Sequence, residues 1–157
     1  MKTYADTNFF TNLLMSLPQS VAADGLANSL RKQTTAPLPV TNLLRMELVN
    51  ALQRLVYESQ HGSQLIPATR QRSLMAEVRF EMEMESGPTP LWQPTPVDEQ
   101  MLFNLFHTLA HRHTAKQGFR TYDILHVATA LLLGCDTFWS FDAKARKLAK
   151  LEGLATN

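Results

Sequence analysis

The chain has 157 residues, 45% of them hydrophobic and 18% charged, with a formal net charge of +1. This is the composition of an ordinary globular domain long enough to bury a core, and no apolar run approaches a transmembrane span. A single cysteine, Cys135, excludes an intramolecular disulfide and reads as a small buried hydrophobe in Leu131-Leu-Leu-Gly-Cys135. The apolar stretch from Phe9 to Leu17 is broken by Thr11, Asn12 and Ser16 and preceded by Asp6, unlike a signal peptide. A cytoplasmic protein without a membrane partner is therefore expected.

Residues 2–5 read as a short buried strand ending at Asp6, and Thr7-Asn8 opens a helix that Pro18 stops near Leu17. A less regular helix is expected over 20–33, and Pro37-Leu-Pro-Val40 reads as a second short strand. Thr41 or Asn42 caps the next helix, whose Leu44, Leu48, Leu52, Leu55 and Val56 recur at helical spacing. Another helix is expected over 67–86, although Phe80, Met82 and Met84 alternate with period two. The proline-rich segment 87–96 permits either a loop or a short third strand at Leu91-Trp92. Asp98 opens a helix over 98–115 with Met101, Leu102, Leu105 and Leu109 on one side, and Asp24 reads as a loop residue. Thr121 is expected to cap an apolar helix over 122–133 that Gly134 ends. A strand over 137–141 follows, then Asp142 as the cap of a basic helix that Gly153 closes. Strands alternating with helices, without repeat or linker, predict one α/β domain over 1–157 with a parallel sheet.

Four acids stand beside these elements: Asp6, Glu47, Asp123 and Asp142, none with an obvious Lys or Arg beside it in sequence. Functional residues of an open parallel sheet gather beyond the carboxyl ends of its strands, where Asp6 and Asp142 fall. From Asp123 to Gly134 a helix climbs about 16 Å. From Asp136 to Phe141 a strand returns about 16 Å. Asp123 and Asp142 thus end at one level, and Asp136 lies at the wrong end to join them. Glu47, in the first or second turn of its helix, falls near the same edge. The plain reading of each acid is an N-cap or a surface charge, and for Asp123 or Asp142 alone, which fit capping well, it is an equal one; the four together favour a hard divalent cation, Mg²⁺ or Mn²⁺. Such an ion activates water and neutralises charge developing on phosphorus. No phosphate-cradling glycine loop is present to suggest nucleotide binding.

Arg112, Lys116 and Arg120 precede Asp123, while Lys144, Arg146, Lys147 and Lys150 follow Asp142. These residues suit a phosphate-bearing substrate, although charge runs on helices are also ordinary solvated faces. His107 and His111, four apart on one helix, and the nearby His113 lack a carboxylate or cysteine at ligand spacing and read as a solvated helix end. His126, one turn after Asp123, reads as a packing residue or a support for the acids rather than a general base.

The order Asp6-Thr-Asn, Arg45-Met-Glu47-Leu, Tyr122-Asp123-Ile-Leu-His-Val-Ala-Thr-Ala and Phe138-Trp-Ser-Phe-Asp142 resembles a PIN domain. In length and pattern it is similar to the toxins of VapBC type II toxin–antitoxin systems, over nearly the whole chain. The resemblance implies a three-layer α/β/α fold around a short central parallel sheet. It implies an acidic site of Asp6, Glu47, Asp123 and Asp142, with Asp6, Asp123 and Asp142 the more direct metal ligands. Thr7 and Ser140 would support the site, orienting a carboxylate or water. It further implies a Mg²⁺- or Mn²⁺-dependent ribonuclease that dimerises, through helices around 20–33 and 43–80, and is silenced by a cognate antitoxin. Arg112, Lys116, Arg120, Lys144, Arg146 and Lys147 would then hold the RNA backbone. An RNA-processing nuclease outside a toxin system and a non-catalytic PIN-like module binding RNA or protein are the alternatives.

Overall fold

The computed structural model describes residues 2–33, 36–62 and 65–157, without the side chain of Gln33. Strand β1 (Thr3–Ala5) runs through Asp6 into α1 (Thr7–Met15), and α2 (Ser20–Gln33) leads to β2 (Leu38–Val40). Helices α3 (Asn42–Gln60) and α4 (Thr69–Met84) precede β3 (Trp92–Pro94). Next come α5 (Glu99–Leu109), a π-helical turn (Ala110–Thr114), α6 (Ala115–Gln117) and α7 (Thr121–Leu132). Strand β4 (Thr137–Trp139), α8 (Ala143–Leu151) and β5 (Ala155–Thr156) complete the order.

All strand pairings are parallel, in two ladders: β1-β4-β5 and β2-β3. Strand β1 lies beside β2 without a ladder between them. The protein is therefore a mixed α/β fold with a small parallel sheet, as the sequence predicts, and the segment around Leu91-Trp92 does form a third strand. Consecutive aromatic residues of α1 tie the two ladders together. Phe9 meets Trp139 of β4 at 5.4 Å between ring centroids, and Phe10 meets Trp92 of β3 at 5.3 Å and Phe80 of α4 at 5.2 Å. Both phenylalanines are fully buried. Helices α1–α4 pack on one another, while α7 packs on α5, α8 and β4.

Several boundaries differ from expectation for identifiable reasons. The strand expected over 137–141 stops at Trp139 because side-chain oxygens then replace ladder partners. Ser140 N–H donates to Asn157 Oδ1 at 2.9 Å and Phe141 N–H to Asn8 Oδ1 at 3.1 Å. Helix α7 starts one residue early: Arg120, not Thr121, takes the extended cap position, and its N–H donates to Asp123 Oδ2 at 3.0 Å. Asp24 lies within α2, and Met101 turns to solvent while Leu109 is buried. Thr41 and Asp98 do cap α3 and α5, each accepting a backbone N–H three residues on. Gly134 adopts φ +64, the left-handed conformation that ends α7 and turns the chain into β4. Cys135 is buried, which pushes its thiol up to about 11 and keeps it unreactive.

The helix expected over 98–115 widens into its π turn at 110–114. Arg112 Nη1 and His113 Nε2, adjacent in sequence, both reach Glu152 at the end of α8, at 2.8 and 2.5 Å. Burial alone would raise the pKa of Glu152, but the hydrogen bonds from His113 and Arg112 outweigh it and hold the carboxyl below its ordinary 4.5. A folded pKa below the unfolded one stabilises at pH above the unfolded value, and that contribution disappears as pH falls through the folded value. Glu152→Gln should therefore melt below wild type at pH 7, with the gap closing as the pH is taken below about 4.5 in calorimetric scans. Phe10→Ala should cost about 3–5 kcal/mol in urea unfolding, since it removes a fully buried ring packed on Trp92 of β3 and Phe80 of α4.

Candidate active site

The register of β1 on β4 pairs Ala5 with Trp139, so Asp6 and Ser140 leave the sheet side by side. Asp6 N–H donates to Trp139 O at 3.1 Å, extending that ladder by one bond. Asp6 is the N-cap of α1, its Oδ1 accepting Phe9 N–H at 3.0 Å, and it is 5% exposed. Burial pushes its carboxyl up to about 6. The nearby His126, the Ser140 hydroxyl and the Phe9 N–H oppose the rise, and the charge of Glu47 adds to it. Ser140 is fully buried, and its Oγ accepts Asp142 N–H at 2.9 Å while also bonding Asp6. The Ser140 hydroxyl thus lies between two of the acids.

Asp142 caps α8, its Oδ1 accepting Lys144 N–H at 2.7 Å and Ala145 N–H at 3.3 Å. Its pKa is lowered: burial works against this, but the Arg120 hydrogen bond and the two helix N–H groups prevail. Asp123 sits in the first turn of α7, buried, with Arg120 donating to Oδ2 from Nε and to Oδ1 from Nη2, each at 3.3 Å. The same Nη2 reaches Asp142 Oδ2 at 2.6 Å. None of the four acids has an obvious Lys or Arg beside it in sequence, yet in the fold Arg120 pairs with two of them. It stands three residues before Asp123, on the same helix face, and that spacing was the available signal.

Glu47 enters from the second turn of α3. Its Oε2 accepts the Thr7 hydroxyl at 2.5 Å and meets His126 Nε2, while His126 Nδ1 meets the Tyr4 hydroxyl at 2.8 Å. A carboxylate only accepts, so Nε2 carries a hydrogen, and in the neutral ring Nδ1 accepts from Tyr4. Burial, then the charge of Asp6, holds the Tyr4 phenol well above its ordinary pKa, so it remains a donor. For Glu47, burial is outweighed by the contacts of His126 and Thr7, and its pKa is lowered. Thr7 and His126 thus support Glu47. Tyr4 is the member of this network that sequence reasoning missed, because its spacing in β1 marks it only as a core aromatic.

These residues line one cleft of about 640 Å³ that holds Asp6, Thr7, Glu47, Arg120, Asp123, His126 and Asp142. Asp136 lies outside it, its carboxylate accepting Lys2 N–H at 2.8 Å. Four hard oxygen donors in one cleft suit a divalent cation by chemistry. Among the described residues, however, no three His, Cys, Asp or Glu side chains stand close enough to share an ion. Of the six basic residues expected to meet RNA, Arg120 lies on the acids and Arg112 on Glu152. Lys144 Nζ donates to Gly118 O and Lys147 Nζ to Gln117 Oε1, joining α8 to the segment before Arg120. Arg146 lines a shallow groove on α8 with Lys147 and Lys150, and Lys116 is exposed on α6.

Tyr4→Phe strands a buried imidazole nitrogen and should cost about 1–3 kcal/mol. Combined with His126→Leu it should cost less than the sum of the two changes, with coupling of about 0.5–3 kcal/mol by urea unfolding. Strict additivity would show that the two side chains are not bonded.

No curated protein matches the chain in sequence. Among solved structures, the crystal structure of PAE2754 from Pyrobaculum aerophilum is similar at a TM-score of 0.57 and 14% identity, over 99% of this chain and 89% of that one. At that identity the likeness concerns the fold. No helix among the described residues is long and apolar enough to cross a membrane. The PIN domain family matches residues 3–151, and the chain belongs to it.

Proposed function

We propose that this protein is a Mg²⁺- or Mn²⁺-dependent endoribonuclease and the toxin of a type II toxin–antitoxin pair. PIN domains are in general nucleases, and the observation that carries the reading here is the cleft, which carboxylates from four separate elements line. Asp6, Asp123 and Asp142 would hold the cation and Glu47 would assist, directly or through water. The cation supplies a coordinated water of lowered pKa and neutralises charge building on the phosphodiester. The chain's own residues do the positioning. Ser140 holds the backbone N–H of Asp142 next to Asp6, and His126 and Thr7 hold one oxygen of Glu47. Lys116, Lys144, Arg146 and Lys147, on the adjoining α6–α8 surface, supply phosphate contacts that set RNA register without reading sequence.

The toxin role is supported by the likeness of the four acidic segments to VapBC toxins. The exposed apolar side chains Met46 and Val49 on α3 and Leu74, Met75, Val78 and Met82 on α4 offer area for an antitoxin or a second copy.

Asp6→Asn and Asp123→Asn should each reduce cleavage of cellular RNA by roughly 100-fold or more while circular dichroism and melting stay native-like. Expression of the wild type alone should arrest growth, and the neighbouring antitoxin frame should relieve it. Full cleavage by either variant would sink the nuclease reading; cleavage without growth arrest would sink the toxin assignment.

A further inference from the structure

The acids of the cleft do not share their countercharge evenly. Among the described residues, Arg120 is the one Lys or Arg side chain that ion-pairs with any of the four, and it takes both Asp123 and Asp142. Its donors occupy both oxygens of Asp123 and Oδ2 of Asp142, so these oxygens are committed to a guanidinium. Glu47 does not depend on it for hydrogen bonds, being held by Thr7 and His126. The Arg120 side chain is 62% exposed, and among the described residues its side-chain hydrogen bonds go to these two carboxylates. The guanidinium is largely open to solvent and its pair with Asp142 lies at the cleft mouth, but Asp123 is buried, so Arg120 can swing away at little cost only when another cation takes that carboxylate.

We propose that Arg120 is a partner-exchanging residue, clamping Asp123 and Asp142 while no divalent cation is bound and passing to the RNA phosphate once a cation has taken those carboxylates. Three observations converge on this. The oxygens that Arg120 occupies are those that a hard cation would need. The acids do not gather three to an ion as they stand, and the guanidinium spans two of them. The planar fork that grips a carboxylate pair fits a phosphate equally well, which a lysine point charge does not reproduce. With the cation in place, a second positive charge on the same oxygens is repelled, and the anion within reach is the substrate backbone. The clamp thus keeps carboxylates neutralised in the resting protein and couples metal loading to substrate binding.

The inference rests on the metal-dependent nuclease reading, and the test separates the two. Mn²⁺ is titrated calorimetrically into the full chain as wild type, Arg120→Met, Arg120→Lys and Asp6→Asn, with melting curves to confirm folding. Removing a positive charge that competes for the same carboxylates should tighten Mn²⁺ binding in Arg120→Met by roughly tenfold. Arg120→Lys should fall between it and wild type. The Nε–H resonance of Arg120 in the wild type should shift at the midpoint of a Mg²⁺ titration. Binding of a phosphorothioate-linked RNA oligomer with Mg²⁺ present should weaken in Arg120→Met, its salt slope falling by roughly one. Unchanged or weaker Mn²⁺ binding in Arg120→Met, or an unmoved Nε–H signal, overturns the clamp. An RNA affinity indifferent to Arg120 overturns the exchange. Mn²⁺ binding by Arg120→Met where wild type binds none supports it. Failure of every variant to bind a cation, or full binding by Asp6→Asn, overturns the metal reading itself and the clamp with it.

Discussion

The parallel register of β1 on β4 is the constraint on which the site depends. Pairing Ala5 with Trp139 sends both chains out of the sheet at one level, with Asp6 entering α1 and Asp142 entering α8. Asp123 joins them from the first turn of α7. Each of these three acids therefore stands at a helix N-terminus, where unpaired backbone N–H groups and the positive end of the helix dipole favour a negative charge. Capping and convergence are not rival explanations for them. The helix starts make it possible to hold carboxylates close together, and the register decides that the starts are neighbours.

What remains is a problem of charge. Four carboxylates face one cleft, and the fold answers with one guanidinium, one imidazole, and the hydroxyls of Thr7 and Ser140. The answer is incomplete at Asp6, which is buried and has no Lys or Arg paired with it among the described residues, so its carboxyl titrates near 6 rather than at an ordinary value. A buried acid with a raised pKa beside three others is a feature expected of functional sites rather than of structural ion pairs.

Much of this was legible along the chain. The spacing of Leu44, Leu48, Leu52, Leu55 and Val56 identified the buried face of α3, and all five are buried. Counting rise along helix and strand put Asp123 and Asp142 together and left Asp136 apart, as their places inside and outside the cleft bear out. The less legible features were those set by side-chain contacts between distant segments. Strand β4 stops early because Asn8 and Asn157 supply its next hydrogen bonds, and neither asparagine carries a periodic signal. The start of α7 moved because a carboxylate captured the preceding N–H, a competition between Thr121 and Asp123 that propensity does not rank.

The sequence by itself determined the alternation of strands and helices, the acids at their boundaries and the family to which they point. Those follow from local pattern, since periodicity and capping act within a few residues. Only the tertiary structure decided which side chain answers which charge: Arg120 to Asp142 across 22 residues, and His126 to Glu47 across 79. Partners so far apart meet through the register of β1 and β4 and the packing of α1 against both ladders. Electrostatic pairing depends on distance in space, which one-dimensional spacing does not encode.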